Sequence, residues 1–147
     1  MHSTSKYFGL LISILILSNC SDIGRSRDNW NLLGGSYWKH GEMIAYDGYW
    51  VEAYKDTTTN SYLVLFVNKD NFNLISDSLR LGELPEGISF DYGTVELNEQ
   101  VDRSLVALYT IGDSSIHYSI LKAWRANSST GKFEEIKSKG IRIVKNP

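Results

Sequence analysis

The sequence predicts an antiparallel β-sheet protein, sandwich-like or barrel-like, in a single domain with room for one short helix. Three observations predict it. From Trp30 onward, short runs rich in Tyr, Trp, Val, Ile and Leu alternate with polar turn clusters. The clusters are built from Asn, Asp, Gly and Ser, the residues that close tight turns. Several runs also alternate with a period of two, so that successive side chains fall on opposite faces.

In order, the predicted strands are Glu42–Tyr46, Tyr49–Lys55, Tyr62–Asn68, Ile88–Asp91, Thr94–Leu97, Ser104–Ile111, Ile116–Ala126, Lys132–Lys137 and Ile141–Lys145. Asp47-Gly48 separates the first two as a hairpin turn. Asp56-Thr57-Thr58-Thr59-Asn60, Asn68-Lys69-Asp70-Asn71, Gly112-Asp113-Ser114 and Asn127-Ser128-Ser129-Thr130-Gly131 separate others. In the run from Tyr118 to Ala126, Tyr118, Ile120, Lys122 and Trp124 share one face, and Ser119, Leu121, Ala123 and Arg125 the other. Neither face is purely apolar, which suits a strand with contacts on both sides. The turn ending at Gly131 is expected to bring Phe133 beside Trp124 as a cross-strand aromatic pair. Two stretches compete for helix. Asp70 has the chemistry of a cap for Phe72, Ile75 and Leu79, and Asn98 for Val101, Leu105 and Leu108. Pro85 would end the first.

Ahead of these runs lies a different texture. Lys6 is followed by the apolar stretch Phe8-Gly9-Leu10-Leu11-Ile12-Ser13-Ile14-Leu15-Ile16-Leu17, which stops at Ser18-Asn19-Cys20. Positive charge, a short apolar segment and small or polar residues at a cut site make a cleavable export signal. Ten apolar residues in a helix span about 15 Å, half of the roughly 30 Å core of a bilayer, so the stretch is too short to cross it. Leu17-Ser18-Asn19-Cys20 resembles the lipobox of bacterial lipoproteins. Asn19 departs from the usual Gly, Ala or Ser before the cysteine.

The resemblance covers only this first segment. It implies diacylglycerol on the Cys20 sulfur, cleavage before Cys20 and acylation of the new amine. The lipid membrane is then a partner through the N-terminal acyl chains, each buried methylene contributing about 0.8 kcal/mol. Ser21, where the family's sorting rule would read an aspartate as inner-membrane retention, implies the periplasmic face of the outer membrane. The expected organisation is a signal peptide over 1–19, a flexible lipid tether over 20–29 and a β-rich domain over 30–147, the tether being polar apart from Ile23.

Composition narrows the chemistry. The whole chain carries 15 basic and 17 acidic residues. Losing residues 1–19 removes Lys6 and no acid, so the mature net charge is −3, too weak to imply a nucleic-acid partner. Charge is uneven, with Lys132, Lys137, Lys139, Arg142 and Lys145 near the C-terminus against Glu134 and Glu135. Cys20 is the only cysteine, which excludes disulfides and cysteine-ligated metal and suits an oxidising compartment.

No catalytic motif stands above background. Asp113, Ser115 and His117 have the residue types of a hydrolase triad. Ser115 and His117 on one strand face would sit about 6.8 Å apart, and no Gly-x-Ser-x-Gly elbow is present. His40-Gly41-Glu42 could begin a metal site, but only His40 and His117 remain in the mature chain, too few imidazoles to announce one. Glu42 with Glu52, or Asp91 with Glu96, could form a carboxylate pair as glycosidases use, yet no spacing privileges either. No EF-hand and no phosphate-cradling loop occurs, so no metal or cofactor is expected. Nine tyrosines and four tryptophans are the remaining feature. Aromatics fill small β-cores and also crowd recognition surfaces. Trp50, Tyr54 and Trp124 are the aromatics assigned to one or the other.

The expected function is a non-enzymatic, membrane-anchored binding module that captures a protein or envelope component. Alternatives are an immunity or inhibitor lipoprotein acting on a toxin or hydrolase, a small envelope hydrolase whose site is assembled from distant residues, and a structural accessory of an envelope machine.

Overall fold

The computed structural model describes residues 37–71, 74–112 and 118–144, and of residues 37–39, 42 and 43 only the backbone. Eleven strands occur among them: β1 Tyr37–Tyr46, β2 Tyr49–Asp56, β3 Ser61–Asn68, β4 Ile75–Glu83, β5 Ile88–Tyr92, β6 Val95–Leu97, β7 Gln100–Val101, β8 Leu105–Ile111, β9 Tyr118–Asn127, β10 Lys132–Ile136 and β11 Ile141–Ile143. No described residue is helical. The first sheet has order β1-β2-β3-β4, the second β10-β9-β8-β5 and the third β11-β6-β7, all antiparallel.

The three sheets form layers because the strands of the second are apolar on both sides. Val106, Leu108, Trp124 and Ala126 face the first sheet, packing with Val51, Ala53, Val64, Phe66, Leu79 and Leu81 in one core. Leu105, Ala107, Tyr109 and Ala123 face the other way and meet Val95, Ile141 and Ile143 of the third sheet. The face assignment read in the Tyr118–Ala126 run is corrected: the register shifts at Leu121, so Tyr118 and Ile120 pack with Ala123 toward the third sheet and not with Trp124, and the strand is covered on both sides. Leu105-Val106-Ala107-Leu108-Tyr109 is an unbroken buried run for the same reason, as expected of a strand with no solvent face.

Polar contacts join the layers at their edges. The Phe133 amide on β10 donates to Asp77 Oδ2 on β4 at 2.8 Å. The Tyr92 hydroxyl on β5 donates to the His40 carbonyl on β1 at 2.6 Å. The Ser128 hydroxyl, in the β9–β10 turn, donates to the carboxylate of Asp47 in the β1–β2 turn.

Both helix expectations are corrected. The stretch from Ile75 to Leu79 belongs to β4, where Leu79 faces the core and Ser78 pairs with Leu65 on the opposite face. Asp70 opens no helix. Asn68 Oδ1 instead accepts the amides of Asp70 and Asn71 at 2.8 and 3.2 Å, closing an Asx turn. The register shifts at Ser76, so Ile75 and Leu79 fall on opposite faces of the strand, and the buried β3 gains its second hydrogen-bonding neighbour. Asn98 has φ of +52° and Glu99 of +71°, values closed to an α-helix, so the second segment becomes a hairpin turn followed by β7 and β8. The pairing of Trp124 with Phe133 also differs in detail. Phe133 lies opposite Ala126 and Trp124 opposite Glu135, so the two aromatics are diagonal neighbours in one core. The Phe133 ring contacts Phe66 at 5.5 Å between centroids.

Candidate functional site

Two hairpins of the same length set the terms of the comparison. In each, two residues connect the strands and both have positive φ, the type I′ geometry that matches the natural twist of a hairpin. Between β1 and β2 these residues are Asp47 (+41°) and Gly48 (+78°). Between β6 and β7 they are Asn98 (+52°) and Glu99 (+71°). Asn suits the first position, since its side chain tolerates the left-handed region. The second position favours glycine, and here it is glutamate. A glutamate in this conformation costs about 1–2 kcal/mol through the approach of Cβ to the carbonyl. Backbone strain of this kind persists where the surroundings hold it, and gathers at functional positions.

The surroundings do hold it. The Asn98 amide donates to the Gly140 carbonyl at 2.9 Å, tying the turn to the loop before β11. Gly140 is required there: its φ is +82°, and a Cβ would stand 2.5 Å from Asn98 Oδ1. Arg142 on β11 bonds Glu96 on β6 at 2.9 Å. Beyond the turn, the Asp102 carboxylate accepts the Ser104 amide at 3.0 Å, the Ser104 hydroxyl at 2.5 Å and Arg125 Nη2 at 3.0 Å. Burial works to raise the Asp102 pKa, but the Ser104 bonds and the Arg125 guanidinium outweigh it and hold the carboxyl below its ordinary value.

On this frame the hairpin presents Glu99, Gln100 and Val101 to solvent. Val101 is 57% exposed, the highest value among the exposed large apolar side chains of the described residues. A hollow of about 520 Å³ is bordered by Tyr46, Leu97, Asn98, Gln100, Val101 and Arg103, among others. Another of about 450 Å³ is bordered by Asn98, Glu99, Gly140 and Arg142. Both are shallow and open. They offer contact area of mixed polarity around a projecting tip.

The aromatics singled out from the sequence separate. Trp124 is 3% exposed in the core between the first two sheets, where no partner could touch it. Trp50 and Tyr54 share the outer face of the first sheet, half-buried against Leu63, Leu65, Val67 and Ile75. Glu52 lies between them with no exposed surface, accepting the Tyr54 hydroxyl at 2.7 Å. Trp50 and Tyr54 therefore share the outer face of the first sheet with Glu52 between them, and Trp124, on the second sheet, packs against the first sheet's inner face.

Other candidates resolve as follows. Cys20 and the signal segment lie outside the described residues, as do Asp113, Ser115 and His117. The His40 imidazole rests against the Tyr62 and Phe90 rings at 5.1 and 5.6 Å. Among the described residues no three of His, Cys, Asp and Glu gather into a metal-sized group. Asp91 and Glu96 sit on different sheets, Asp91 accepting the Tyr92 amide and Glu96 held by Arg142. Of the basic C-terminal residues, Arg142 is thus engaged in an ion pair. Sequence reasoning missed the β6–β7 hairpin. The signal was the two-residue Asn98-Glu99 gap between Leu97 and Gln100, masked because glutamate replaces the glycine that usually marks such turns. No protein-family model, curated protein or solved structure matches the chain.

Proposed function

We propose that the protein is a lipid-anchored binding module of the bacterial cell envelope, held through Cys20 and contacting a protein or envelope component with the β6–β7 hairpin tip. The observation that carries the contact surface is Glu99, a strained glutamate in a glycine position, beside the exposed Val101. Ordinary folding gives no reason to keep it, since the same chain uses Gly48 in the equivalent place. A side chain projected from a rigid, cross-tied turn loses little entropy on binding, which favours recognition. The open hollows flanking it suit a convex partner surface better than enclosure of a small substrate. Tethering supports the reading too, because an anchored domain meets envelope partners at high local concentration.

The test has two arms. Labelled palmitate should enter the wild-type protein and be absent from Cys20→Ser, which should leave the membrane fraction. With the anchor intact, Glu99→Lys and Val101→Glu should each lower partner recovery from crosslinked envelopes while leaving the thermal melt unchanged. Undiminished recovery by both variants would remove the hairpin from the proposal.

A further inference from the structure

β9 carries one residue more than its partner needs. Leu108 on β8 lies opposite Lys122 and Tyr109 opposite Ile120, so Leu121 has no residue across from it. Such a β-bulge bends the strand and re-aims the side chain it inserts. Ile120 before it packs toward the third sheet and Trp124 beyond it toward the first, whereas Leu121 joins none of the three apolar clusters and is 42% exposed. An exposed leucine by itself is ordinary. This one borders a hollow of about 460 Å³ together with Lys122, Glu135, Ile136, Lys137 and Ser138. The hollow shares no residue with those at the β6–β7 hairpin. Leu121 and the half-buried Ile136 make part of its lining apolar and the other four residues make the rest polar, the mixed composition of a protein recognition patch.

The charges around this hollow do not cancel. Glu135 pairs with Lys122 at 3.5 Å, and Arg142 with Glu96. Glu134 accepts hydrogen bonds from Asn127 and Thr130 at 2.9 and 3.0 Å. Lys137, which borders the hollow, and Lys139, which follows Ser138, are exposed and enter none of the ion pairs among the described residues. The backbone carrying them is held in place. Ile136 lies in register opposite Ala123, and the Ile141 amide donates to the Ser138 carbonyl at 3.1 Å, closing a turn before β11. A fixed platform loses little freedom when a partner docks. We propose that this hollow is a second recognition site, taking an extended segment of a partner protein in which an apolar side chain is followed by carboxylates. The apolar side chain meets Leu121 and Ile136, and the carboxylates meet Lys137 and Lys139. A protein segment suits these features better than a membrane. Basic clusters that bind lipid hold roughly four to eight Lys or Arg and press a convex apolar face into the bilayer. Here two lysines stand beside a concavity.

The experiment uses the full chain and a fluorescein-labelled peptide in which a leucine is followed by glutamates, read by fluorescence anisotropy. Binding should saturate, and glutamines in place of the glutamates should weaken it roughly tenfold. Leu121→Asn and Lys137→Glu/Lys139→Glu alter exposed side chains, so their thermal melts should match wild type while affinity for the glutamate peptide falls roughly tenfold in each. A peptide with lysines in place of the glutamates should bind Lys137→Glu/Lys139→Glu and not wild type, a rescue that damage to the fold could not produce. Absence of binding, or equal binding of the glutamate and glutamine peptides, would overturn the proposal. Two further results would overturn it by naming another occupant, each with the peptide unbound. Phosphatidylglycerol vesicles retaining wild type more than Lys137→Glu/Lys139→Glu would make the site a lipid contact. A dimer in sedimentation velocity that Leu121→Asn abolishes would make it a contact between copies of this chain.

Discussion

Replacing Glu99 with glycine should make the protein more stable. At φ +71° a glutamate is strained by about 1–2 kcal/mol, and glycine removes that strain. Glycine also loses more freedom on folding, an opposing cost of about 0.4–1 kcal/mol. At the midpoints of the two ranges the balance is a gain of about 0.8 kcal/mol. For a domain of this size such a gain raises Tm by about 2–4 °C. The substitution puts a glycine directly after Asn98, the preferred pairing for this turn, and leaves the Asn98–Gly140 hydrogen bond and the Arg142–Glu96 pair in place. Differential scanning calorimetry of wild type, Glu99→Gly and Glu99→Ala decides the matter. Alanine keeps Cβ and therefore the strain, so it should melt close to wild type. A Glu99→Gly protein that melts at or below wild type would refute the reasoning, showing that the glutamate is not strained or is compensated by its own contacts. A stabilised Glu99→Gly with weakened partner capture would connect the strain to binding.

Trp124→Ala should lower stability by about 3–5 kcal/mol, since it empties a large buried site between two sheets, and urea titration measures it. Trp50→Ala, on the half-buried outer face, should cost less in the same titration. Asp102 supplies a pH dependence. Its folded pKa is depressed, so its contribution is present above the ordinary carboxyl value and is lost as pH falls through the folded pKa. Asp102→Asn should therefore flatten the acid limb of a stability–pH profile below about pH 4, and an unchanged limb would exclude Asp102 as its source.

How much was legible in the chain follows from the range of the forces concerned. Period-two patterning and turn residues are local, so they mark most strands within a residue or two, from Tyr49–Asp56 to Ile141–Ile143. β4 was not legible as a strand because a register shift at Ser76 breaks its period of two and puts Ile75 and Leu79 on opposite faces, and only pairing with the buried β3 made it one. β7 is two residues long, too short for a pattern to form.

The candidate surface divides along the same line. That the chain folds as antiparallel sheets is written in contiguous residues. Which aromatic lies inside is not. Trp50 and Trp124 read alike in sequence, each within an apolar and aromatic strand run, and differ in what packs above them. Trp124 meets the first sheet across the core, whereas Trp50 lies on that sheet's outer face. Glu99 passes unnoticed as one acid among 17 until its backbone angle is known. Burial and strain are properties of packing between segments remote in the chain, and only the tertiary structure decides them.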